Sequence, residues 1–262
     1  MKIAIVGHGY VGKGMERLFR NRFELGIVDT VTQPDRGAAK GADLAVVCVP
    51  TPQGPDGAAD TSAVEEVVRW LDAPLILIKS TVPPGTTDRL AKETGKAVHF
   101  SPEYMGEPTW FVPPWKYPDP RAPETHDFVI VGGPKADFVL DFFVKVMAPN
   151  TRYMACTAIE AELAKYMENS WFAMKVTFCN EFARIAETFG IEYKKLRELW
   201  LLDSRMDPDH TIVFRDAPGF GGKCLPKDLA AIIAASTAAG YEPQLLKAVD
   251  ATNRVLRRGM QK

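Results

Sequence analysis

Short apolar runs recur through the first half of the chain, and segments with helical spacing separate them. Runs of this kind are typical of strands buried in a parallel sheet. They occupy residues 2–6, 25–28, 44–49, 75–79, 98–100, 128–132 and 151–154. Helical patterns follow at 61–71, 86–93 and 134–147. Alternating strands and helices predict an α/β fold, and we assign residues 1–154 to a Rossmann-type doubly wound sheet.

The second half contains helical patterns only, at residues 159–189, 191–202, about 226–239 and 243–258. We therefore predict an all-α domain over residues 155–262. The stretch 171–182 is apolar on nearly every side, which predicts a buried helix, as a central interdomain or dimer helix would be.

The composition and the terminal sequence argue against several classes of function. With a net charge of −1, nothing in the composition argues for binding to nucleic acid or to an anionic membrane surface. No apolar run approaches the roughly 20 residues of a membrane span. The first residues enter a strand pattern without a signal-peptide layout, and the four cysteines are far apart in the sequence. We expect a cytoplasmic protein with free thiols, and no metal site because the histidines lack ligand spacing.

A glycine loop, Gly7-His8-Gly9-Tyr10-Val11-Gly12, follows the first strand, and Asp29 follows the second. Gly7 allows a tight turn, Gly9 lets a pyrophosphate approach the backbone amides, and Gly12 lets helix pack on strand. Asp29 would accept hydrogen bonds from a ribose, which favours NAD over NADP. The alternative for Asp29 is a turn cap.

Three later strands end in polar segments that a parallel sheet brings to one edge. They are Val49-Pro50-Thr51-Pro52, Ser80-Thr81-Val82-Pro83 and Ser101-Pro102-Glu103. Thr81 would hydrogen-bond a water or the nicotinamide ribose, and Glu103 would lie at the edge of the site. The alternatives are that Ser80 and Thr81 cap the next helix and that Glu103 is an ordinary surface residue.

Lys165 and Asn169 lie four residues apart in a helical segment and share a face. Polar groups inside an apolar helix need partners. One possibility is a substrate oxygen or developing oxyanion. The other is an internal ion pair of Lys165 with Glu162 or Glu168, with Asn169 stabilising the helix.

Residues 219–228 combine a glycine-rich turn with Cys224, placed just before a helix that begins near Pro226. A helix N-terminus favours a thiolate by at most about 2 kcal/mol. Lys223 and Lys227 would add to this, and Asp228 would act as an acid or base. From these residues alone, a nucleophile and a buried structural thiol remain open.

Several of these segments together resemble the UDP-glucose/GDP-mannose dehydrogenase family, in the family's order and across the whole chain. The matching segments are Gly7-x-Gly9-Tyr10-Val11-Gly12, Val49-Pro50-Thr51-Pro52, Ser80-Thr81-Val82-Pro83-Pro84-Gly85-Thr86-Thr87, Ser101-Pro102-Glu103-Tyr104, Glu162-Leu163-Ala164-Lys165-Tyr166-x-x-Asn169, Lys175-Val176-x-Phe178-x-Asn180-Glu181 and Gly219-Phe220-Gly221-Gly222-x-Cys224-Leu225-Pro226-Lys227-Asp228. The resemblance implies two NAD-dependent oxidations of a nucleotide-sugar C6 alcohol to a carboxylate.

The resemblance also implies roles for individual residues. Cys224 would be the nucleophile that forms a thiohemiacetal and then a thioester, Glu103 would activate the hydrolytic water, and Lys165 and Asn169 would stabilise oxyanions. Thr81 and Asp228 would assist. Residues expected to bind NAD are Gly7, Gly9, Tyr10, Val11, Gly12, Asp29, Pro50, Thr51, Thr81 and Lys227. Residues expected to bind the sugar substrate are Glu103, Tyr104, Met105, Glu107, Lys165, Asn169, Phe220 and Gly221.

The chain departs from the family pattern at three places. It ends after the helical domain, where we expect family members to continue into a third, nucleotide-binding domain. Residues 105–108 read Met-Gly-Glu-Pro where the family usually has a Glu-Gly step, and an aromatic loop follows at 110–117. No arginine occupies the position expected within 207–210, although Arg205 and Arg215 flank it.

Three hypotheses follow from these observations. The first is a compact NAD-dependent dehydrogenase that acts on a nucleotide sugar or a smaller sugar derivative, with the aromatic loop stacking on substrate. The second is a β-hydroxyacid-type dehydrogenase, which makes one hydride transfer and needs no cysteine. The third is a non-catalytic NAD-binding protein that kept the fold. By analogy with the family, helix 159–189 predicts a homodimer.

Overall fold

The fold comes from a computed structural model that describes residues 1–106 and 122–258. The chain divides into two compact units. The first comprises Met1–Pro52 and Ala59–Lys165, and the second comprises Gln53–Ala58 and the chain from Tyr166 onward. The boundary between Lys165 and Tyr166 falls inside a long helix, Ala158–Thr188. The domain boundary expected near residue 154 stays a prediction.

The first unit is built on a seven-stranded sheet in the order β2-β1-β3-β4-β5-β6-β7. The strands are β1 Lys2–Val6, β2 Glu24–Val28, β3 Leu44–Val47, β4 Leu75–Ile78, β5 Val98–Phe100, β6 Phe128–Gly132 and β7 Arg152–Cys156. Strands β1 to β5 pair in parallel, as predicted. Strand β6 pairs with β5 antiparallel, and β7 follows β6 in parallel, a reversal that the apolar pattern did not reveal.

Helices cover both faces of this sheet, because alternate strand residues point to opposite sides. The helices are α1 Tyr10–Phe19, α2 Ser62–Trp70, α3 Thr86–Thr94 and α4 Asp137–Val144. Ile3 and Ile5 of β1 pack in a core with α1 and α4, whereas Ala4 and Val6 pack in a second core with α2 and α3. The predicted doubly wound α/β fold is confirmed.

The described elements of the second unit are helices. Helix α5 runs over Ala158–Thr188 and ends in this unit, followed by α6 Tyr193–Trp200, α7 Leu225–Ala238 and α8 Gln244–Arg258. The core of the unit is small. Among the described residues, its core cluster has four buried apolar members, Ala173, Phe220, Leu229 and Val249, with the partly buried Met174, Val176, Leu225, Ile233 and Leu246 packed against them.

Helix α5 is only partly covered by the rest of the chain. A row of its large apolar side chains, and of those just beyond its end, is exposed in the chain: Ile159, Leu163, Met167, Trp171, Phe178, Phe182, Ile185 and Phe189. Their spacing of mostly three or four residues places them along the helix surface. The rest of the described chain does not cover this row. The periodic pattern does not say what covers an apolar face, and burial as a dimer helix stays a prediction. No helix in the described part of the chain is both long and apolar enough to cross a membrane.

Candidate active site

The glycine loop after β1 has the geometry needed for a phosphate. Gly7 has a φ of +90°, and a Cβ there would lie 2.6 Å from the Cys48 carbonyl oxygen. A Cβ on Gly12 would lie 2.0 Å from the Gly7 oxygen. Gly9 precedes α1 as its N-cap, and a Cβ there meets nothing within 4 Å. Gly7 and Gly12 therefore close the turn, while Gly9 leaves open space at a helix N-terminus that a side chain would fill. This loop fits a dinucleotide pyrophosphate.

Asp29 lies just after β2 and joins the two strand ends. Its carboxylate accepts hydrogen bonds from the backbone N–H groups of His8 (2.8 Å), Val31 (3.0 Å) and Thr32 (3.1 Å). These bonds lower the pKa of Asp29 to about 2, and the bond from His8 has the largest effect. The carboxylate is thus ionised and fixed beside the glycine loop. The turn-cap interpretation describes its present contacts, and acceptance from a ribose stays a prediction.

The strand ends after β3 and β4 are tied to each other. The Thr51 hydroxyl donates to the Thr81 carbonyl at 2.9 Å, and the Ser80 hydroxyl donates to the Val49 carbonyl at 2.6 Å. The N-cap residue of α3 is Gly85, so the interpretation that Ser80 and Thr81 cap that helix is wrong. The two polar segments lie together at the sheet edge where a cofactor of this fold binds.

Glu103 is a mostly buried residue, with 11% of its side chain exposed, so the surface interpretation is wrong. One carboxylate oxygen accepts from the Met105 N–H at 2.6 Å. The other, Oε2, lies 3.5 Å from the ammonium of Lys79, which is itself buried and donates to the Pro102 carbonyl at 2.7 Å. Oε2 has no hydrogen-bond partner among the described residues. A cavity of about 30 Å³ beside it is large enough for one water.

The Glu103–Lys79 pair has an electrostatic effect on Cys48. Burial raises the pKa of the Cys48 thiol far above its usual range, and the negative charge of Glu103 raises it further. Cys48 therefore stays a neutral thiol, although it lies next to the cofactor loop.

The segment after Glu103 packs on α1 and α5. The Tyr10 hydroxyl donates to the Gly106 carbonyl, and the Met105 sulfur lies 2.5 Å from the position that a Cβ on Gly14 would take. The Tyr104 ring packs edge-on against Phe128 at 4.9 Å, and the Lys165 ammonium lies 4.8 Å from the centre of the Tyr104 ring. The predicted substrate residues Tyr104, Met105 and Lys165 are thus held in one region of the first unit.

Two other residues assigned to NAD, Val11 and Pro50, lie in the first turn of α1 and just after β3. Glu107 and the aromatic loop 110–117 lie outside the described residues.

Glu162 contacts α3 rather than acting only in its own helix. Its carboxylate accepts hydrogen bonds from the N–H of Gly85 (2.6 Å) and of Thr87 (2.9 Å) and from the Thr87 hydroxyl (2.6 Å). It is fully buried, and burial raises its pKa. Sequence reasoning had considered Glu162 as an ion-pair partner of Lys165, and the bonds to α3 were not foreseen.

Cys224 is the N-cap residue of α7 in the second unit, and it is exposed. The interpretation of Cys224 as a buried structural thiol is therefore wrong. Asp228, in the first turn of α7, is 2% exposed, and its Oδ2 accepts from the Asn169 side-chain amide at 2.6 Å. The Lys227 ammonium lies 2.6 Å from Oδ1 without hydrogen-bond alignment. A polar cluster thus lies behind the start of the helix that carries the thiol.

Two buried asparagines hold the glycine-rich turn before Cys224. Asn180 accepts from the Gly219 N–H at 3.0 Å. The Asn253 side chain accepts from the Phe220 N–H at 2.8 Å and donates to the Phe220 carbonyl at 3.0 Å. The sequence analysis did not identify Asn253. The available signal was a polar residue on the apolar face of the amphipathic helix α8.

The loop at residues 207–210, which lacks the expected arginine, is held by an ion pair and by ring stacking. Asp207 forms an ion pair with Lys175 of α5 at 2.5 Å, and the His210 ring stacks on Phe172 at 4.0 Å. Burial lowers the pKa of His210 to about 4, so its ring is neutral at pH 7. In the described part of the chain, no group of three or more His, Cys, Asp and Glu side chains could hold a metal ion.

Comparison with known proteins gives consistent matches. Residues 13–109 match the NAD binding domain of the UDP-glucose/GDP-mannose dehydrogenase family, and residues 159–255 match its central domain. The chain is 33% identical over 231 residues to UDP-glucose 6-dehydrogenase AglM of Haloferax volcanii, which covers 79% of the chain and 51% of that protein. The chain spans about half the length of the first curated relatives it matches.

Solved structures are similar across nearly the whole chain. A UDP-glucose dehydrogenase from Pyrobaculum islandicum superposes with a TM-score of 0.80 at 26% identity, covering 98% of this chain and 68% of that one. A UDP-D-ManNAc dehydrogenase from Pyrococcus horikoshii superposes with a TM-score of 0.82 at 24% identity, covering 99% and 69%, and supports the fold alone.

Proposed function

Because the chain belongs to the UDP-glucose/GDP-mannose dehydrogenase family, we propose that it oxidises the C6 alcohol of a nucleotide sugar to a carboxylate in two hydride transfers. The family membership confirms the resemblance found in the sequence. The observation that carries the proposal is the exposed sulfur of Cys224 at the start of α7. The buried Asp228–Asn169 pair that lies behind it supports the same conclusion.

The NAD binding domain supplies the cofactor site of this proposal. The hydride acceptor would be NAD, with two molecules needed for each sugar oxidised. Gly7, Gly9 and Gly12 would receive the pyrophosphate, since only Gly9 leaves open space at the α1 N-terminus. Asp29 would accept from the adenosine ribose. The remaining contacts are proposed for Tyr10, Val11, Pro50, Thr51, Thr81 and Lys227.

Cys224 would carry the covalent steps. Its thiolate adds to the C6 aldehyde and forms a C–S bond, giving a thiohemiacetal whose oxygen takes up a proton. Loss of that proton and of a hydride from C6 leaves a thioester. Water then attacks the thioester carbon, the C–S bond breaks, and the products are the carboxylate and the free thiolate. The N-terminus of α7 favours the negative sulfur at the beginning and end of this sequence.

Charged and polar side chains would assist these steps. Glu103 would orient the attacking water, because its Oε2 is buried, lacks a hydrogen-bond partner among the described residues and faces a water-sized cavity. Lys165 and Asn169 would stabilise the oxyanions at C6. Asp228 would accept and return protons, with Thr81 assisting. Tyr104, Met105, Phe220 and Gly221 would contact the sugar nucleotide.

The deciding experiment counts NADH against sugar consumed, with UDP-glucose and GDP-mannose as substrates. Two NADH per sugar, with the carboxylate as product, supports the thioester route. One NADH per sugar with an unchanged rate in Cys224→Ala would indicate a β-hydroxyacid-type dehydrogenase. NAD binding without turnover of either sugar nucleotide would reject the proposal.

The same proposal includes a homodimer through α5. The exposed apolar row along that helix is the supporting observation, since Met167 is 78% exposed and Trp171 is 50% exposed in the chain. A second copy of the row, related by two-fold symmetry, would cover both. In light scattering, Trp171→Glu should produce monomers, whereas Phe138→Glu, which places an acid at an exposed apolar position of α4, should stay dimeric. A monomeric wild-type protein would reject the dimer.

A further inference from the structure

A cavity of about 520 Å³ lies in the second unit beside the turn that holds Phe220. Arg254, Arg257 and Arg258 of the last turns of α8 line it, together with Pro226 and Ala230 of α7 and Gln53. The volume is in the range of small-molecule sites, about 300–1,000 Å³. The one carboxylate in the lining is Asp250, so three guanidinium groups face a single negative charge.

Arg257 is the least exposed of the three arginines that line this cavity. It is half-buried, and its guanidinium lies against the turn: a Cβ built on Gly221 would be 2.7 Å from Nη1 of Arg257. Asp250 is already paired with Arg254 at 2.6 Å. Among the described residues, no carboxylate forms an ion pair with Arg257 or Arg258.

The dipole of α8 favours basic residues in its last turn, and this alone would account for arginines at that end of the helix. It does not account for a guanidinium that packs on a glycine turn and faces a cavity of this size. A half-buried guanidinium loses hydration, and an anion that accepts two parallel hydrogen bonds restores it. Neighbouring guanidinium groups repel one another, so a ligand with two or more negative charges is favoured.

We propose that this cavity binds the diphosphate of a nucleotide, with Arg257 as the principal contact and Arg254 and Arg258 at its rim. The planar fork of arginine matches phosphate oxygens, which a single lysine ammonium does not. Two ligands of the proposed reaction carry a diphosphate, the sugar nucleotide and NAD. The choice between these two ligands rests on the proposed function, whereas binding of a diphosphate does not require turnover.

The test is calorimetric titration of the purified chain with inorganic pyrophosphate, UDP and NAD. Arg257→Gln should raise the Kd of pyrophosphate by at least about tenfold, since a charge-assisted bidentate contact is lost. Arg257→Lys should give an intermediate value. The control is Arg22→Gln, the same change at an exposed position of the first unit, and it should leave the Kd unchanged.

Two patterns of altered affinity in Arg257→Gln support the proposal, and each identifies which ligand carries the bound diphosphate. A weaker UDP affinity with unchanged NAD affinity assigns the cavity to the sugar nucleotide, and the reverse pattern assigns it to the dinucleotide. Equal affinities of Arg257→Gln and Arg22→Gln for all three probes would overturn it, as would a wild-type chain that binds none of them. If Arg257→Gln fails to fold, the exposed double variant Arg254→Gln/Arg258→Gln must weaken pyrophosphate binding, or the proposal is rejected.

These results separate the cavity from the reaction. A chain that binds UDP through Arg257 but forms no NADH rejects the proposed function and keeps the diphosphate site. A chain that forms two NADH per sugar, and whose two arginine variants bind pyrophosphate, UDP and NAD equally well, keeps the function and rejects the site.

Discussion

Helices α3 and α7 both begin beside a buried carboxylate, but the two N-termini are built in opposite ways. At α3, Glu162 accepts from the N–H groups of Gly85 and Thr87 and from the Thr87 hydroxyl. At α7, the N-cap residue Cys224 is exposed, and its own side chain does not cap the helix. The carboxylate of Asp228 lies inside the first turn and binds Asn169 instead.

This difference indicates which of the two helix N-termini can take part in a reaction. The donors at α3 are already bonded to a carboxylate of the protein itself, so a ligand would have to displace a fully buried group. At α7 the exposed position holds the Cys224 thiol, which we propose as the nucleophile. The buried carboxylate of Asp228 accepts from Asn169 and forms an ion pair with Lys227. We infer that the closed N-terminus is structural and that the open one is the reactive site.

The largest expected effect tests the open N-terminus directly. Cys224→Ala removes the group that would form the thioester, so the rate of carboxylate formation should fall at least about 10³-fold. Stability should change little, because the side chain is exposed. Product analysis and urea unfolding measure the two quantities, with Cys156→Ala as the control thiol. A variant that keeps a tenth of the wild-type rate would show that the sulfur is not the nucleophile.

Asp228→Asn should have the next largest effect. It keeps the shape of the side chain and the bond to Asn169 but removes the negative charge. We expect a loss of about 10²-fold in kcat, the usual contribution of a positioned acid or base. Unfolding free energy should change by no more than about 1 kcal/mol. An unchanged kcat with a large loss of stability would make Asp228 structural, like Glu162.

The open site was predictable because its signals are local in sequence. A glycine-rich turn, a cysteine and a proline within ten residues place a thiol at a helix start, and the structure has it there. Gly12 was predictable for the same reason, since the Gly7 carbonyl five residues away leaves no room for a Cβ there, whereas the contact that requires Gly7 comes from Cys48, just after β3.

The closed site was not predictable, because its contacts join distant parts of the sequence. Glu162 reaches Thr87 across 75 residues, while the helical spacing suggested Lys165 as a partner. Asn253 reaches Phe220 across 33 residues, and the antiparallel pairing of β5 with β6 likewise depends on tertiary structure. A periodic pattern shows which face of an element is buried but not which polar group will meet it there.

Glu162→Ala tests the closed N-terminus. It leaves two N–H groups and a hydroxyl without their acceptor in a buried region, which should lower the unfolding free energy by about 3 kcal/mol. Activity per folded molecule should be retained. Glu160→Ala is the matched control, since Glu160 is exposed and accepts from Thr157 in the same helix turn, and its effect in urea unfolding should be smaller. Equal losses would contradict the assignment.

The pH dependence of the same two glutamates should have opposite signs. Burial raises the pKa of Glu162, so the folded chain holds its proton more tightly than the unfolded chain does. The stability of wild type relative to Glu162→Gln should therefore decrease as pH rises from about 4.5. Bonds from Thr157 lower the pKa of Glu160, so stability relative to Glu160→Gln should decrease as pH falls below about 4.5. Urea unfolding at several pH values measures both, and slopes of the same sign would contradict this.

The smallest expected effect isolates one bond of the closed N-terminus. Thr87 is fully buried, and Thr87→Val keeps its shape while removing the hydroxyl that donates to Glu162 at 2.6 Å. The unfolding free energy should fall by about 1 kcal/mol. Thr94→Val, in the last turn of α3, removes a hydroxyl that donates to the Leu90 carbonyl, and it should cost less, because that bond is more accessible to water. In the Glu162→Ala background the cost of Thr87→Val should vanish, since its acceptor is gone. If the cost persists, the hydroxyl stabilises the chain by some other contact, and the closed N-terminus depends on its backbone donors alone.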